Sequence, residues 1–171
     1  MKGYIHVYTG NGKGKTTAAL GLALRAVGAG KKIYFAQFVK GKIYSEIAAI
    51  NRDIPEITVK QYGRGCFIVN EPTSEDIQAA KEGLEDVRAV IRSGQYDVVV
   101  LDEATIALHY KLFSVEELIA VLQEKPEETE IVITGRYAPC ELIEIADLVT
   151  EMKEIKHYYT KGILARKGIE Y

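Results

Sequence analysis

The chain has no tryptophan, four prolines, three histidines and two cysteines in 171 residues. Cys66 and Cys140 stand far apart and neither belongs to a C-x-x-C pair, so no disulfide framework or thiolate metal motif is spelled out. Reduced thiols in a cytoplasmic protein are the simplest reading. No apolar run approaches the length that crosses a bilayer, and the N-terminus lacks a signal-peptide layout, so no membrane partner is expected. Charge of either sign is not in excess: 22 basic and 24 acidic side chains leave a formal net charge of -2. That excludes an overall basic field for nucleic acid. His6, His109 and His157 are scattered, and no serine or cysteine is visibly paired with a base, so nucleophilic catalysis by a side chain has no support. Repeats, low-complexity tracts and linkers are also missing, which leaves residues 1–171 as one domain.

What is present is a phosphate-binding layout. An apolar run, Tyr4-Ile5-His6-Val7-Tyr8, leads into Thr9-Gly10-Asn11-Gly12-Lys13-Gly14-Lys15-Thr16-Thr17. Ala18 to Ala26 then reads as a helix of strong helix formers. Strand, glycine-rich turn, Lys-Thr and helix form the P-loop pattern. Glycines let the backbone curl so that its N–H groups face an anion, and the helix start adds its own unpaired donors. Residues Gly10, Asn11, Gly12, Lys13, Gly14, Lys15, Thr16 and Thr17 are therefore candidate ATP-binding residues. Lys15 supplies a charge for the phosphates, and Thr16 a hydroxyl for Mg²⁺. Thr9 stands where the usual pattern has its first glycine.

The remaining chain alternates strands and helices. Ile33 to Phe38 is a continuous apolar run, as in a strand buried on both faces. Lys40 and Lys42 leave its end, either toward a triphosphate or as a solvated basic loop. Tyr44 to Asn51 reads as a helix and Ile57 to Gln61 as a strand. The stretch Tyr62 to Val69 holds two glycines, an arginine and apolar groups; it either binds a flat apolar ligand or tucks onto the core. Thr73-Ser74-Glu75-Asp76 opens a long amphipathic helix through Ile77, Ala80, Leu84, Val87 and Ile91, with Gly94 ending it.

Tyr96 to Glu103 is an apolar strand ending in Asp-Glu, a Walker B-like element expected beside the P-loop strand. Asp102 and Glu103 are candidate Mg²⁺ ligands, and Glu103 could instead position a substrate. His109, a few residues on, could approach the same site. Ser114-Val115-Glu116-Glu117 opens another helix, through Gln123. Glu130 to Thr134 reads as a buried strand, and Arg136 after it either reaches phosphate or forms a surface ion pair. Pro139 suits the first turn of a helix to Ala146, and Leu148 to Lys153 a last strand. The fold class is α/β, a P-loop (RecA-like), mostly parallel sheet with helices on both faces.

Several of these stretches together resemble the ATP:corrinoid adenosyltransferases of the enteric type. They are Thr9 to Ala19, Gln37-Phe38-Val39-Lys40-Gly41, Val99 to Glu103, Val132 to Arg136, Ile155-Lys156-His157 and the ending Lys167-Gly168-Ile169-Glu170-Tyr171. The resemblance implies attack of cob(I)alamin on the 5′ carbon of ATP, with triphosphate released. It implies ATP lying reversed relative to other P-loop proteins, with Lys15 and Glu103 as catalytic residues and Lys40 and Arg136 on the nucleotide. It further implies Mg²⁺ as cofactor, a homodimer and a flavoprotein reductant. Co(I) is itself a strong nucleophile, which accounts for the missing protein base.

Two features depart from the family. Its members carry Phe-x-Trp after the glycine pair; here Cys66, Phe67 and Ile68 stand there, and with His109 they are the candidate corrinoid contacts. The chain also begins almost at its first strand, without the enteric N-terminal extension. Two other classes fit the phosphate loop alone: a kinase or ATPase cleaving the β–γ bond, and a nucleotide-binding regulatory module without turnover.

Overall fold

The computed structural model describes residues 2–65 and 71–171. The sheet is built from β1 (Ile5–Thr9), β2 (Ile33–Phe38), β3 (Ile57–Tyr62), β4 (Val98–Asp102), β5 (Glu130–Thr134) and β6 (Leu148–Glu151). The helices are α1 (Lys15–Gly28), α2 (Ser45–Asp53), α3 (Ser74–Ser93), α4 (Ala104–His109), α5 (Val115–Gln123) and α6 (Cys140–Ile145), followed by a turn of 3₁₀ helix at Tyr158–Lys161. Every strand pairing is parallel, in the order β3-β2-β4-β5-β1-β6.

Alternation along the strands divides the core into two layers. Phe35, Val98, Val100 and Val132 pack with Ala19, Ala23 and Ala26 of α1 and Ile50 of α2. Tyr34, Phe38, Val99, Leu101, Ile131 and Ile133 face Ala80, Leu84, Val87 and Ile91 of α3 and Leu118, Val121 and Leu122 of α5. Both faces are covered, which is why β2 and β4 are mainly apolar, Gln37 and Asp102 excepted, and are buried throughout. Small alanines on α1 let that helix sit close over the sheet and carry the phosphate loop with it.

Local signals give the helix starts. Thr73 and Ser114 each accept a hydrogen bond from the backbone N–H three residues on, and Asp76 and Glu117 return it. Gly94 closes α3 in the left-handed conformation at φ 60°.

Three expectations need correction. β4 does not lie beside β1: it pairs with β2 and β5, and β5 alone separates it from β1. Strand order depends on where a later strand inserts, which no local pattern encodes. Pro139 precedes α6 as its cap, with ψ 154°, rather than sitting inside its first turn. β6 ends at Glu151 and is an exposed edge. The short helix α4, directly after Glu103, was not anticipated; its length of 6 residues gives little periodicity to read.

Candidate active site

The C-terminal ends of β1, β2, β4 and β5 converge on one polar cluster. From β1 the chain turns through Gly10 at φ 98° and Gly14 at φ 117° into α1. The loop rests on the segment after β6: the Gly12 N–H donates to Met152 O at 2.7 Å. A Cβ on Gly10 would stand 2.4 Å from that same carbonyl oxygen, so the close approach itself requires glycine. α1 starts without a side-chain cap and without an acidic residue in its first turn, so its positive end faces the loop unneutralised.

Lys15 is buried and folds over the loop, donating to Gly10 O at 2.8 Å and Gly12 O at 2.7 Å. Burial lowers its pKa; the carboxylates of Glu103 and Asp102 oppose that shift, and the Arg136 and Lys40 charges add to it.

Asp102 is fully buried yet fully partnered. Its Oδ1 accepts from the hydroxyls of Thr16 and Thr134, each at 2.7 Å, and its Oδ2 accepts from Gln37 Nε2 at 2.9 Å. The Thr16 contact joins the phosphate loop to the β4 carboxylate across the intervening strand. Thr134, on that strand, also accepts the Glu103 N–H at 3.1 Å. Gln61 Nε2 in turn donates to Gln37 Oε1 at 2.7 Å and Lys42 O at 2.9 Å, tying β3 and the β2 exit into the same network.

Glu103 sits in the left-handed region at φ 58°, where a non-glycine residue is uncommon. Burial raises its pKa, Asp102 adds to the rise, and Lys40 opposes it. Lys40 Nζ lies 3.4 Å from Glu103 Oε1 and 3.8 Å from Asp102 Oδ2. Burial works against the Lys40 ammonium, but the two carboxylates outweigh it and its pKa is raised. Lys40 is thus neither a solvated loop residue nor an isolated cation: it faces the acidic pair from inside the fold.

The other candidate residues fall as follows. Asn11 and Thr17 are exposed along the loop and the first turn of α1. Lys13 turns away from the loop interior and bonds to the C-terminal segment. Arg136 is exposed; its carbonyl accepts from Thr105 Oγ1 at 2.6 Å, and among the described residues its guanidinium has no ion-pair partner. His109 is exposed and stacks on Tyr137 with ring centroids 4.4 Å apart. Both line an open groove of about 580 Å³ with Leu108, Leu112, Phe113 and Pro139. The groove also takes in Ile77 near the start of α3. Cys66, Phe67 and Ile68 lie outside the described residues.

Sequence reasoning missed Gln37, Gln61 and Thr134. A polar side chain inside the apolar run of β2 was the available signal, since a buried amide needs a partner. Among the described residues no group of three or more His, Cys, Asp or Glu converges as a metal cage. Two carboxylates and a threonine hydroxyl suit an ion that takes most of its ligands from phosphate and water.

The whole chain, residues 1–171, matches a family model described as ATP:corrinoid adenosyltransferase BtuR/CobO/CobP. The corrinoid adenosyltransferase of Escherichia coli K12 is 35% identical over 99% of this chain and 86% of its own length. That of a Sinorhizobium species is 38% identical, over 99% and 81%. The corrinoid adenosyltransferase of Salmonella typhimurium LT2 is 34% identical, over 99% and 86%.

Proposed function

The chain belongs to the ATP:corrinoid adenosyltransferase BtuR/CobO/CobP family, and from that membership we infer that it transfers the 5′-deoxyadenosyl group of ATP to the cobalt of a reduced corrinoid. The observation that carries the site assignment is the hydrogen bond from Thr16 on the phosphate loop to buried Asp102 on β4. It brings the triphosphate grip and the carboxylates to one place.

The backbone N–H groups of Gly10 to Thr17 grip the triphosphate. Lys15 leaves its loop carbonyls to neutralise the phosphates, and Arg136, with no ion pair of its own among the described residues, reaches them from the end of β5. Lys40 holds Asp102 and Glu103 in position from the β2 exit and adds positive charge beside the nucleotide. Thr16 with Asp102 and Glu103 would hold Mg²⁺. When bound, that ion supplies charge neutralisation on the triphosphate. Thr9 in place of the first glycine accords with a nucleotide lying reversed relative to other P-loop proteins.

The reaction needs no protein base. The cobalt(I) electron pair forms the bond to the 5′ carbon, the carbon–oxygen bond breaks, and its electrons leave on triphosphate. The protein supplies alignment and stabilisation of the leaving charge. The corrinoid occupies the groove beside His109 and Tyr137. Its apolar walls, Leu108, Leu112, Phe113 and Pro139, suit a large flat ligand. Cys66, Phe67 and Ile68, the further corrinoid contacts the family resemblance implies, lie outside the described residues. The Co(I) state requires an external one-electron donor, and the family resemblance points to a flavoprotein. An ATP-dependent reaction and the exposed free thiol of Cys140 suit the cytoplasm.

The test is anaerobic incubation with ATP, Mg²⁺ and chemically reduced cobalamin, following the corrinoid spectrum and the phosphate product. Adenosylcobalamin with triphosphate is expected. ADP and phosphate with an unchanged corrinoid would replace this function by β–γ cleavage. Nucleotide binding without any product would leave a regulatory module.

A further inference from the structure

The closing segment, Lys167 to Tyr171, is not part of the phosphate loop or the acidic cluster, yet it is fastened to the loop. Lys13 Nζ donates to Ile169 O at 2.8 Å and to Glu170 Oε1 at 2.9 Å. The Tyr158 hydroxyl lies 3.4 Å from the same ammonium and donates to Glu170 Oε1. The other carboxylate oxygen of Glu170 accepts the Arg166 N–H at 2.7 Å. Farther on, Tyr171 O accepts from Ser45 Oγ at 3.0 Å, at the start of α2. The segment therefore bridges the loop after β1 and the helix after β2, the two sides of the nucleotide site.

Lys13 stands between Gly12 and Gly14, in a loop with glycine at every second position from Gly10. Such a backbone has much freedom to lose, and its anion-binding curl is one conformation among many. Gly12 is held by Met152 O. Lys15 spans the Gly10 and Gly12 carbonyls from within, and Lys13 is a further fixed point whose side chain is held from outside the loop. A site whose competent conformation is only partly populated binds more weakly by that fraction.

We propose that Glu170 and Tyr158 are positioning residues for the triphosphate: through Lys13 they keep the loop curled, and the Lys13 side chain is an anchor and not a phosphate ligand. The inference rests on the reading that this loop takes the triphosphate of ATP.

The experiment measures binding of MgATP and of inorganic tripolyphosphate to the full chain, to Glu170→Gln and to Tyr158→Phe, with thermal unfolding of each. Steady-state kinetics accompany the binding. Affinity for both ligands is expected to fall about fivefold in each variant, with KM for ATP rising in step and kcat at saturating ATP nearly unchanged. In a Lys13→Met background, Glu170→Gln should have no further effect, because the connection runs through that ammonium. Unchanged or tighter binding in Glu170→Gln would overturn the proposal, since it would mean that freeing Lys13 benefits the phosphates. Tyr158→Phe decides the matter if Glu170→Gln does not fold. Failure of the unaltered chain to bind either ligand would instead overturn the reading of the loop itself, and the proposal with it.

Discussion

Lys15 is the cation that lies against the carbonyls of the phosphate loop. It is buried, its pKa is lowered by that burial, and among the described residues it bonds to carbonyls of its own loop. On the proposed function it exchanges two neutral acceptors for phosphate oxygens, where leaving-group charge develops. Lys15→Ala is expected to lower kcat by roughly 10²–10³-fold, measured by adenosylcobalamin formation, with the fold intact by circular dichroism. Thr134 makes the complementary case for a supporting residue. Its hydroxyl donates to Asp102 and accepts from the Glu103 backbone, both in a buried place. Thr134→Val keeps the shape and removes both bonds. Urea unfolding is expected to show a loss of about 1–3 kcal/mol, the usual cost of orphaning buried polar groups. An unchanged midpoint would mean that water replaces the hydroxyl.

At the scale of the element, the segment after β6 is docked as a strap in which the Glu170 carboxylate gathers bonds from Lys13, Tyr158 and Arg166. The hydrogen bond from Tyr158, and then that from Lys13, keep the Glu170 carboxyl well below the usual carboxylate range. A carboxylate whose folded pKa is depressed contributes stability above its unfolded pKa and loses it as pH falls through the folded value. Docking should thus survive acidification through the range where an ordinary glutamate protonates. Hydrogen exchange of the Arg166 amide, which donates to Glu170, reads this directly. Its protection factor is expected to hold from pH 7 down to about 4 and to decline only below that. Loss of protection between pH 5 and 4 would show that Glu170 titrates as a free side chain. Neither this strap nor the β1-β5-β4 adjacency was legible in the sequence, and the reason is the same for both. The Lys13–Glu170 pair spans 157 residues, and the insertion of β5 between β1 and β4 joins elements far apart in the chain. Local chemistry, by contrast, announced itself. The glycines before Lys15, the capping boxes at Thr73 and Ser114, and the mainly apolar runs of β2 and β4 each state a conformation within a few residues. Gln37 falls between these cases. Its burial could be inferred from β2, but its partner Asp102 could not.

For the whole molecule, the uneven distribution of exposed apolar side chains matters most. The helices α3, α5, α1 and α2 close both faces of the sheet, but β6 is left at the edge with no residue buried. Leu148 and Val149 on that strand are exposed, and so are Ile155, Tyr159 and Leu164 in the segment that follows. Leu164 and Ile155 reach 77% and 83% exposure. An unpaired strand edge with apolar neighbours is a surface that soluble proteins usually cover. A second copy of the chain is the occupant the family resemblance implies. If two copies meet there, the 148–164 segment is buried in the assembly, and sedimentation equilibrium should report a dimer at micromolar concentration. Ile155→Asp with Leu164→Asp should shift it to a monomer, because unpaired charges buried in an interface cost several kcal/mol. The doubly substituted chain should still bind MgATP, because neither side chain makes one of the contacts, Met152 O and the Tyr158 hydroxyl, by which this segment holds the phosphate loop. A monomeric parent chain would refute the assembly while leaving the site untouched. A dimer indifferent to both substitutions would move the interface to another part of the surface.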